Sequence, residues 1–240
     1  MRRASREALR LTTVAILQPG YLPWLGFFDQ LRRCDVFVYY DDVQFDKHGW
    51  RNRNRVKGPA GPQWLTVPVL HTGRGQPAIH EIELEPRVPW ARKHLRTLEL
   101  LYAKAPHREP YLTELAAVLT QPWSRLAELD IAAVELISRW LALQRTMHRS
   151  SQLGISGDRS ERLLKICQNF SADRYLSGNA AQSYLDTDLF ERNGIAVEWQ
   201  NFTHPTYPQL HGEFVPFLST IDLVFNVGSR ALDVIAGRPG

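Results

Sequence analysis

The side chains best suited to chemistry fall in four polar clusters, at 18–24, 41–55, 177–182 and 204–212. His204 lies in FTHPTYPQLHG, just past an apolar run, with Pro205 fixing the backbone after it. Tyr207 and Gln209 follow at alternate positions, so the three side chains can share one side of an extended loop. An imidazole there can act as general base near neutral pH, and His211 is a weaker candidate for the same role. The alternative is a hydrogen-bonded loop anchor. Ser177, Gly178 and Asn179, in YLSGNAAQ, sit where backbone N–H groups and a helix dipole can hold an anion. A tight turn with a helix cap explains the same residues, and the glycine patterns of dinucleotide and P-loop sites are missing. Asp41 and Asp42 are adjacent at the end of an apolar run. In extended chain they point to opposite sides, so only one faces a pocket and they form no paired-carboxylate site. Asp222, in LSTID, forms a capping-box pattern with Ser219, and Leu218 and Leu223 form a hydrophobic staple around it. The arginine run at 51–57 carries no acid. Its charge is local, which suits a phosphorylated or carboxylated small molecule better than the wider basic face of a nucleic-acid binder.

Several chemistries lack their residues. There is no HExxH, no CxxC and no carboxylate-rich loop, so no tight metal is expected. There is no GxSxG elbow and no signposted nucleophilic cysteine. The net charge is +4, but residues 1–10 hold four arginines against one glutamate, which leaves +1 for the rest. Residues 1–13 therefore read as a basic, disordered tail without the apolar core of a signal peptide. No apolar run is long enough for a membrane span. Cys34 and Cys167 lie in apolar, helix-like surroundings with neither metal nor disulfide spacing, which fits a reducing cytoplasm.

The elements that must position these clusters alternate. Residues 14–18 read as a buried strand, 24–33 as a helix with Leu25, Phe28 and Leu31 inward, and 36–40 as a second strand, parallel to the first. Ligands in such sheets collect at the carboxyl ends of strands, so residues 18–21 and 41–44 are expected at one rim. Residues 50–56 alternate, with Arg51, Arg53 and Arg55 on one face and Trp50, Asn52 and Asn54 on the other, and GPAGP turns the chain into a returning strand at 63–69. Leucine stripes make 90–145 helical. An extended stretch follows at 147–151. Asp158 and Glu161 form a capping-box pattern opening a helix with Leu163, Ile166, Cys167 and Phe170 inward. Then come the strand RYLSG, a helix over about 180–192 and the strand IAVEWQNF. The expected fold is α/β: one domain over 14–240 with a mainly parallel, doubly wound, Rossmann-like sheet, a β-hairpin and a helical insertion at about 90–145.

Three segments, AILQPGYLPWLGFFDQLRRCDVFVYYDDVQFDKHGWRNRNRVK, SERLLKICQNFSADRYLSGNAAQSYLD and HPTYPQLHGEFVPFLSTIDLVFNVG, resemble the three signature regions of the WbqC-like family, in its order and over about 14–232. Positions similar to the family's motifs are Gln18, Pro19, Tyr21, Pro23, Trp24, Asp41, Asp42, Gln44, Lys47, Trp50, Asn52, Arg53, Asn54, Ser177, Gly178, His204, Pro205, Tyr207, Gln209, Asp222, Asn226 and Gly228. Family members are encoded among genes for O-antigen and other surface polysaccharides and in natural-product clusters. The resemblance implies a cytoplasmic biosynthetic enzyme that moves an acyl or aminoacyl group to a small-molecule amine or amino sugar. The expected donor is a thioester, either CoA or the phosphopantetheine of an acyl carrier protein, with no tightly bound cofactor and no nucleic-acid partner. On that implied reaction His204 is the base, Lys47 or Asn52 stabilises the oxyanion, and Asp41 orients the histidine or the acceptor. Gln18, Tyr21 and Trp24 shape the acceptor pocket, with Gln44, Arg53, Asn54, Ser177, Asn179, Tyr207, Gln209 and Asp222 completing the binding set. Gln18, Tyr21, Asp41, Lys47, Asn52 and His204 are then expected to line one cleft. A nucleotide- or nucleotide-sugar-using transferase, or a non-catalytic small-molecule binder, would use the same cleft.

Overall fold

The structure is a computed structural model and describes residues 11–70 and 75–238; residues 1–10, most of the basic tail, lie outside them. The chain begins with β1 (Thr13–Leu17), α1 (Leu25–Arg33) and β2 (Val36–Tyr39), the strand–helix–strand unit that the sequence predicts. β1 and β2 pair in parallel, Val14 against Val36 through Leu17 against Tyr39. The hairpin follows as β3 (Arg53–Gly58) and β4 (Gly61–Thr66), and a short antiparallel pair as β5 (Val69–Leu70) and β6 (Glu83–Leu84). The helical insertion is α2 (Trp90–Leu101), α3 (Arg108–Leu119) and α4 (Leu126–Trp140). Then come β7 (Thr146–Arg149), α5 (Arg159–Asn169), β8 (Arg174–Ser177), α6 (Thr187–Arg192), β9 (Ala196–Trp199), α7 (Thr220–Val227) and α8 (Ala231–Ile235).

Five strands make one sheet in the order β7-β2-β1-β8-β9, with every pairing parallel. From β1 the chain winds out to β2 and β7, then returns to place β8 and β9 on the other side. The strand order therefore reverses between β1 and β8, and an open α/β sheet has its binding crevice beyond the carboxyl ends at such a point.

The pleat explains why this sheet is covered on both faces. Successive side chains alternate, and Ala15, Phe37 and Tyr39 join the core under α1 and the helical insertion. Val14, Ile16 and Val38 join a second core with Leu163, Ile166 and Cys167 of α5 and Phe190 of α6. A strand buried on both faces reads as a continuous apolar run, as VAIL does.

Local details depart from the sequence reading. The helix expected at 180–192 is two pieces, a 3-10 turn (Asn179–Ser183) and α6, because the Asp186 side chain accepts from Leu189 N at 2.9 Å and caps a fresh start. Asp158 stands at the N-cap of α5 without a side-chain cap bond, and Glu161 pairs with Lys165 at 2.8 Å. Phe170 closes α5 and packs against His148. The alternation read over 50–56 holds only from Arg53, where β3 begins. Trp50 and Arg51 lie in the bend before it, so Trp50 packs against Trp64, on the arginine face, while Arg51 turns to the Pro19 carbonyl, 3.3 Å away.

A long irregular segment runs from β9 to α7, and side chains fix it. Lys57, 1% exposed, donates to the carbonyls of Gly212 (3.1 Å) and Glu213. Gln209 clamps Val215 through both its N–H and its C=O, at 2.9 and 3.0 Å. The buried Asp222 carboxylate accepts from Tyr102 at 2.6 Å and Tyr207 at 2.9 Å. Among the described residues no helix is long and apolar enough to cross a membrane.

Candidate functional site

A cavity of about 1260 Å³ opens beyond the carboxyl ends of β1, β2 and β8, at the point where the strand order reverses. Gln18 and Gly20 border it after β1, Tyr40 and Val43 after β2, and Ser177 and Gly178 at and after β8. Trp24 and Phe27 bring the start of α1 to it, and Arg159 and Arg162 the start of α5. Helix N-termini carry partial positive charge, so these two favour an anion between them.

The charged lining has one sign. Arg51, Arg55, Arg159 and Arg162 border the cavity, and among the described residues its lining holds no Asp, Glu, His, Lys or Cys. Burial pushes the Arg51 guanidinium down, against the opposing pull of Asp130 and Asp46. Its Nη1 donates to the Pro19 carbonyl at 3.3 Å and its Nε has no partner. Arg55 reaches the Phe217 carbonyl at 3.5 Å, and its Nε is also unpartnered. Arg162 is tied to Asp42, donates to the Ile155 carbonyl at 2.9 Å and lies over the Tyr40 ring. Arg159 borders the cavity and forms no ion pair among the described residues. Aromatic side chains supply the remaining walls: Trp24, Trp50, Tyr40, Tyr175, Tyr184 and Phe217.

Residues 18–234 match the family model described as the WbqC-like protein family. The chain belongs to that family. It is also 38% identical over 224 residues to the uncharacterized protein Rv1507c of Mycobacterium tuberculosis (strain ATCC 25618 / H37Rv), covering 92% of this chain and 96% of the relative. No solved structure matches.

In this WbqC-like protein the residues expected around one cleft divide. Gln18, Trp24, Asn54 and Ser177 border the cavity. Asn54 is already engaged, donating to the Leu22 carbonyl at 2.8 Å and so holding the turn after β1. The other five residues of the expected cleft, Tyr21, Asp41, Lys47, Asn52 and His204, do not border it. Tyr21 is fully buried behind it, its hydroxyl 2.9 Å from His94 Nδ1. Asp41 is 0% exposed and held by Arg149 Nε (2.7 Å), Ser151 N (3.0 Å) and Ser151 Oγ (2.9 Å). Burial raises its pKa, and these hydrogen bonds outweigh that and hold it below the usual carboxylate range. Because β2 ends at Tyr39, strand alternation does not govern the two acids, and Ser150 Oγ contacts both Asp41 (3.3 Å) and Asp42 (2.5 Å). Asp42 faces the cavity's arginine, Arg162.

Lys47 and Gln44 are exposed in the loop after β2, away from the cavity. Asn52 turns inward and donates to the Val67 carbonyl at 2.8 Å. Arg53 lies on the outer face of the hairpin, 4.5 Å from the centre of the Trp64 ring. Asn179 is exposed and exchanges hydrogen bonds with Asn201, both at 2.9 Å. Tyr207, Gln209 and Asp222 belong to the network that fixes the irregular segment, and His211 Nε2 bonds the Leu101 carbonyl at 2.7 Å.

His204 stacks beside Trp24, one layer back from the cavity. Its Nε2 accepts from Phe217 N at 3.1 Å, which places the proton on Nδ1, 2.9 Å from the Pro205 carbonyl. Burial lowers its pKa, with the Pro205 carbonyl pulling the other way. Both ring nitrogens are thus committed to the loop that carries Phe217. His204→Ala is expected to cost about 1–3 kcal/mol in urea unfolding, and an unchanged midpoint would contradict the anchoring role.

Arg159, Arg162, Tyr40, Tyr184 and Phe217 escaped the sequence reading as site residues. Arg159 and Arg162 carried a usable signal. Two arginines three apart at the start of a helix place two cations on one face, against the macrodipole.

Proposed function

We propose that this WbqC-like protein is a biosynthetic enzyme that transfers an acyl or aminoacyl group from a phosphate-bearing thioester to an amine. The observation that carries this reading is the acid-free cavity with four arginines at the reversal of strand order. Guanidinium groups bind phosphate through paired N–H donors, and the unpartnered Nε atoms of Arg51 and Arg55 leave that capacity unused inside the protein. The cavity is large enough for CoA or the phosphopantetheine arm of an acyl carrier protein. A small-molecule amine or amino sugar would enter beside Gln18, whose side-chain amide makes no hydrogen bond among the described residues. The free, buried Cys34 and Cys167 suit a reducing cytoplasm.

In the proposed reaction the amine nitrogen attacks the thioester carbonyl, the C–N bond forms and the C–S bond breaks. The proton lost by nitrogen leaves with the thiol. The thioester is already activated, so no enzyme nucleophile is required. With His204 committed to its loop and no other base in the lining, the protein acts by positioning the reactants and by placing arginine N–H donors around developing negative charge. Tyr40, Tyr175, Tyr184 and Ser177 are the hydroxyl groups among the described lining residues that can carry a proton.

A second reading, a nucleotide- or nucleotide-sugar-using transferase, is favoured by the strand order, since cavities at such reversals commonly hold nucleotide phosphates. Incubating the protein with a panel of acyl-CoA thioesters, nucleotide sugars and amino-sugar acceptors, and following free thiol, nucleotide sugar and amide mass, separates the two. Amine-dependent thiol release supports acyl transfer. Consumption of a nucleotide sugar with no thiol release supports the second reading and sinks the first.

A further inference from the structure

Exposed large apolar side chains gather at one edge of the cavity. Trp50 (42% exposed) and Phe217 (50%) both border it, and Trp64 (43%) packs against Trp50 with ring centres 5.1 Å apart and planes tilted by 36°. Scattered single exposed apolar residues need no explanation, but a contiguous set beside a cavity does. Trp64 belongs to β4, Trp50 to the bend before β3, and Phe217 to the irregular segment before α7. Three separate parts of the chain therefore supply one aromatic rim.

The rim is also charged in a particular way. The Arg55 guanidinium carbon lies 5.4 Å from the Trp50 ring centre and 5.7 Å from that of Trp64, and Arg53 covers Trp64 at 4.5 Å. Arg55 borders the cavity with its Nε unpartnered and holds the Phe217 carbonyl at 3.5 Å. One arginine is thus shared between the polar interior and the aromatic rim. A nucleoside phosphate has matching chemistry: an anion, and one sugar away a flat ring that stacks on aromatic and guanidinium faces.

We infer that the Trp50–Trp64–Phe217 rim is a base-stacking subsite, so the phosphate-bearing ligand of this pocket carries a nucleoside. This rests on the phosphate reading given above and sharpens it. It selects free CoA or another nucleotide over a carrier-bound phosphopantetheine, which has no base. Arg55 would hold a phosphate while Trp50 takes one face of the base and Phe217 closes the pocket's other edge.

The test is calorimetric titration of the full chain with inorganic pyrophosphate, ADP, UDP, CoA and 4′-phosphopantetheine, repeated with Trp50→Ala and Trp50→Phe. ADP and CoA are expected to bind at least roughly tenfold more tightly than pyrophosphate, and CoA more tightly than phosphopantetheine. Trp50→Ala should weaken ADP and CoA by roughly 5- to 100-fold, Trp50→Phe should recover part of that, and pyrophosphate should be unaffected. Tighter binding of CoA than of ADP would assign the subsite to a CoA thioester, and selectivity between ADP and UDP to a particular base; both support the inference. ADP binding no better than pyrophosphate would overturn it while leaving the phosphate reading standing. So would a Trp50→Ala variant that loses affinity only for 4′-phosphopantetheine. If pyrophosphate and every other probe fail to bind, the phosphate reading and the inference fall together.

Discussion

Asp222→Ala should lower the free energy of unfolding by about 3–5 kcal/mol, the cost of removing one partner from a buried charged network. The side chain is 0% exposed and accepts from two tyrosine hydroxyls, Tyr102 at 2.6 Å and Tyr207 at 2.9 Å. Burial raises its pKa, with the two tyrosine hydrogen bonds and the charge of Lys57 opposing that. Alanine leaves both hydroxyls without an acceptor and the buried Lys57 ammonium without its counter-charge. Tyr207 and Lys57 both hold the irregular segment that carries Phe217, so the loss also loosens one wall of the cavity. Asp222→Asn keeps the shape and one acceptor oxygen, and should lose much less. Urea unfolding with an unchanged m-value measures the difference; an alanine variant within about 0.5 kcal/mol of the parent would contradict the network's role.

His94 should make the protein acid-sensitive. It is 6% exposed, and burial drives its pKa from the ordinary 6.5 to about 4, with the Thr66 backbone pulling weakly the other way. Its Nδ1 lies 2.9 Å from the Tyr21 hydroxyl, which can donate only to a neutral ring. The folded state therefore binds this proton less readily than the unfolded state. The stabilisation is complete above about pH 6.5 and is lost as pH falls toward about 4. The shift corresponds to about 3 kcal/mol in total. Other groups titrate in the same window, so the difference between the parent and His94→Gln isolates this one. Unfolding free energies measured between pH 7 and 4 should converge on the acid side as the parent loses its advantage. Parallel curves would show that His94 is not buried in the neutral form.

Much of this fold was legible in the sequence. The β1–α1–β2 unit announces itself because VAIL and VFVY are unbroken apolar runs separated by helical spacing, and runs that short and rich in β-branched and aromatic residues read as strands covered on both faces. The ends of those strands put residues 18–21 and 41–44 at one rim, and the cavity opens there, bordered by Gln18, Gly20 and Val43. The partners of individual loop side chains were less legible. Asp41, Asn52, Asn54, Tyr207, Gln209 and Asp222 look reactive in sequence because polar groups after apolar strands are characteristic of sites. They bind groups of the fold itself: Asp41 the Arg149 guanidinium, Asn52 and Asn54 backbone carbonyls, Gln209 the Val215 backbone, and Asp222 the hydroxyls of Tyr102 and Tyr207. Buried loop backbone has no ladder partners, so polar side chains must satisfy it. The residue types that build catalytic sites are the same ones that brace loops, and sequence alone does not separate them. His204 shows this most directly, since its two nitrogens are spent on Pro205 and Phe217. The arginines were misread for a different reason. Alternation puts Arg51, Arg53 and Arg55 on one face, yet Arg51 precedes β3 and reaches the Pro19 carbonyl, Arg53 stays on the outer face over Trp64, and Arg55 links the two. Arg159 and Arg162 come from the opposite side of the sheet's edge, and only the fold brings them to the first three clusters.

The central claim is that the four-arginine cavity at the reversal of strand order holds a phosphate-bearing donor. Its most direct test is a calorimetric titration of acetyl-CoA into the parent and into the double variant Arg55→Ala/Arg159→Ala. These two arginines take the smallest part in the fold's own hydrogen bonding among the four. The parent should bind at one site, with affinity falling as salt rises. The double variant should unfold like the parent and bind at least roughly tenfold more weakly, the scale expected for losing a hydrogen bond to a charged group. Equal affinity in parent and variant, or no binding to the parent at all, would contradict the claim.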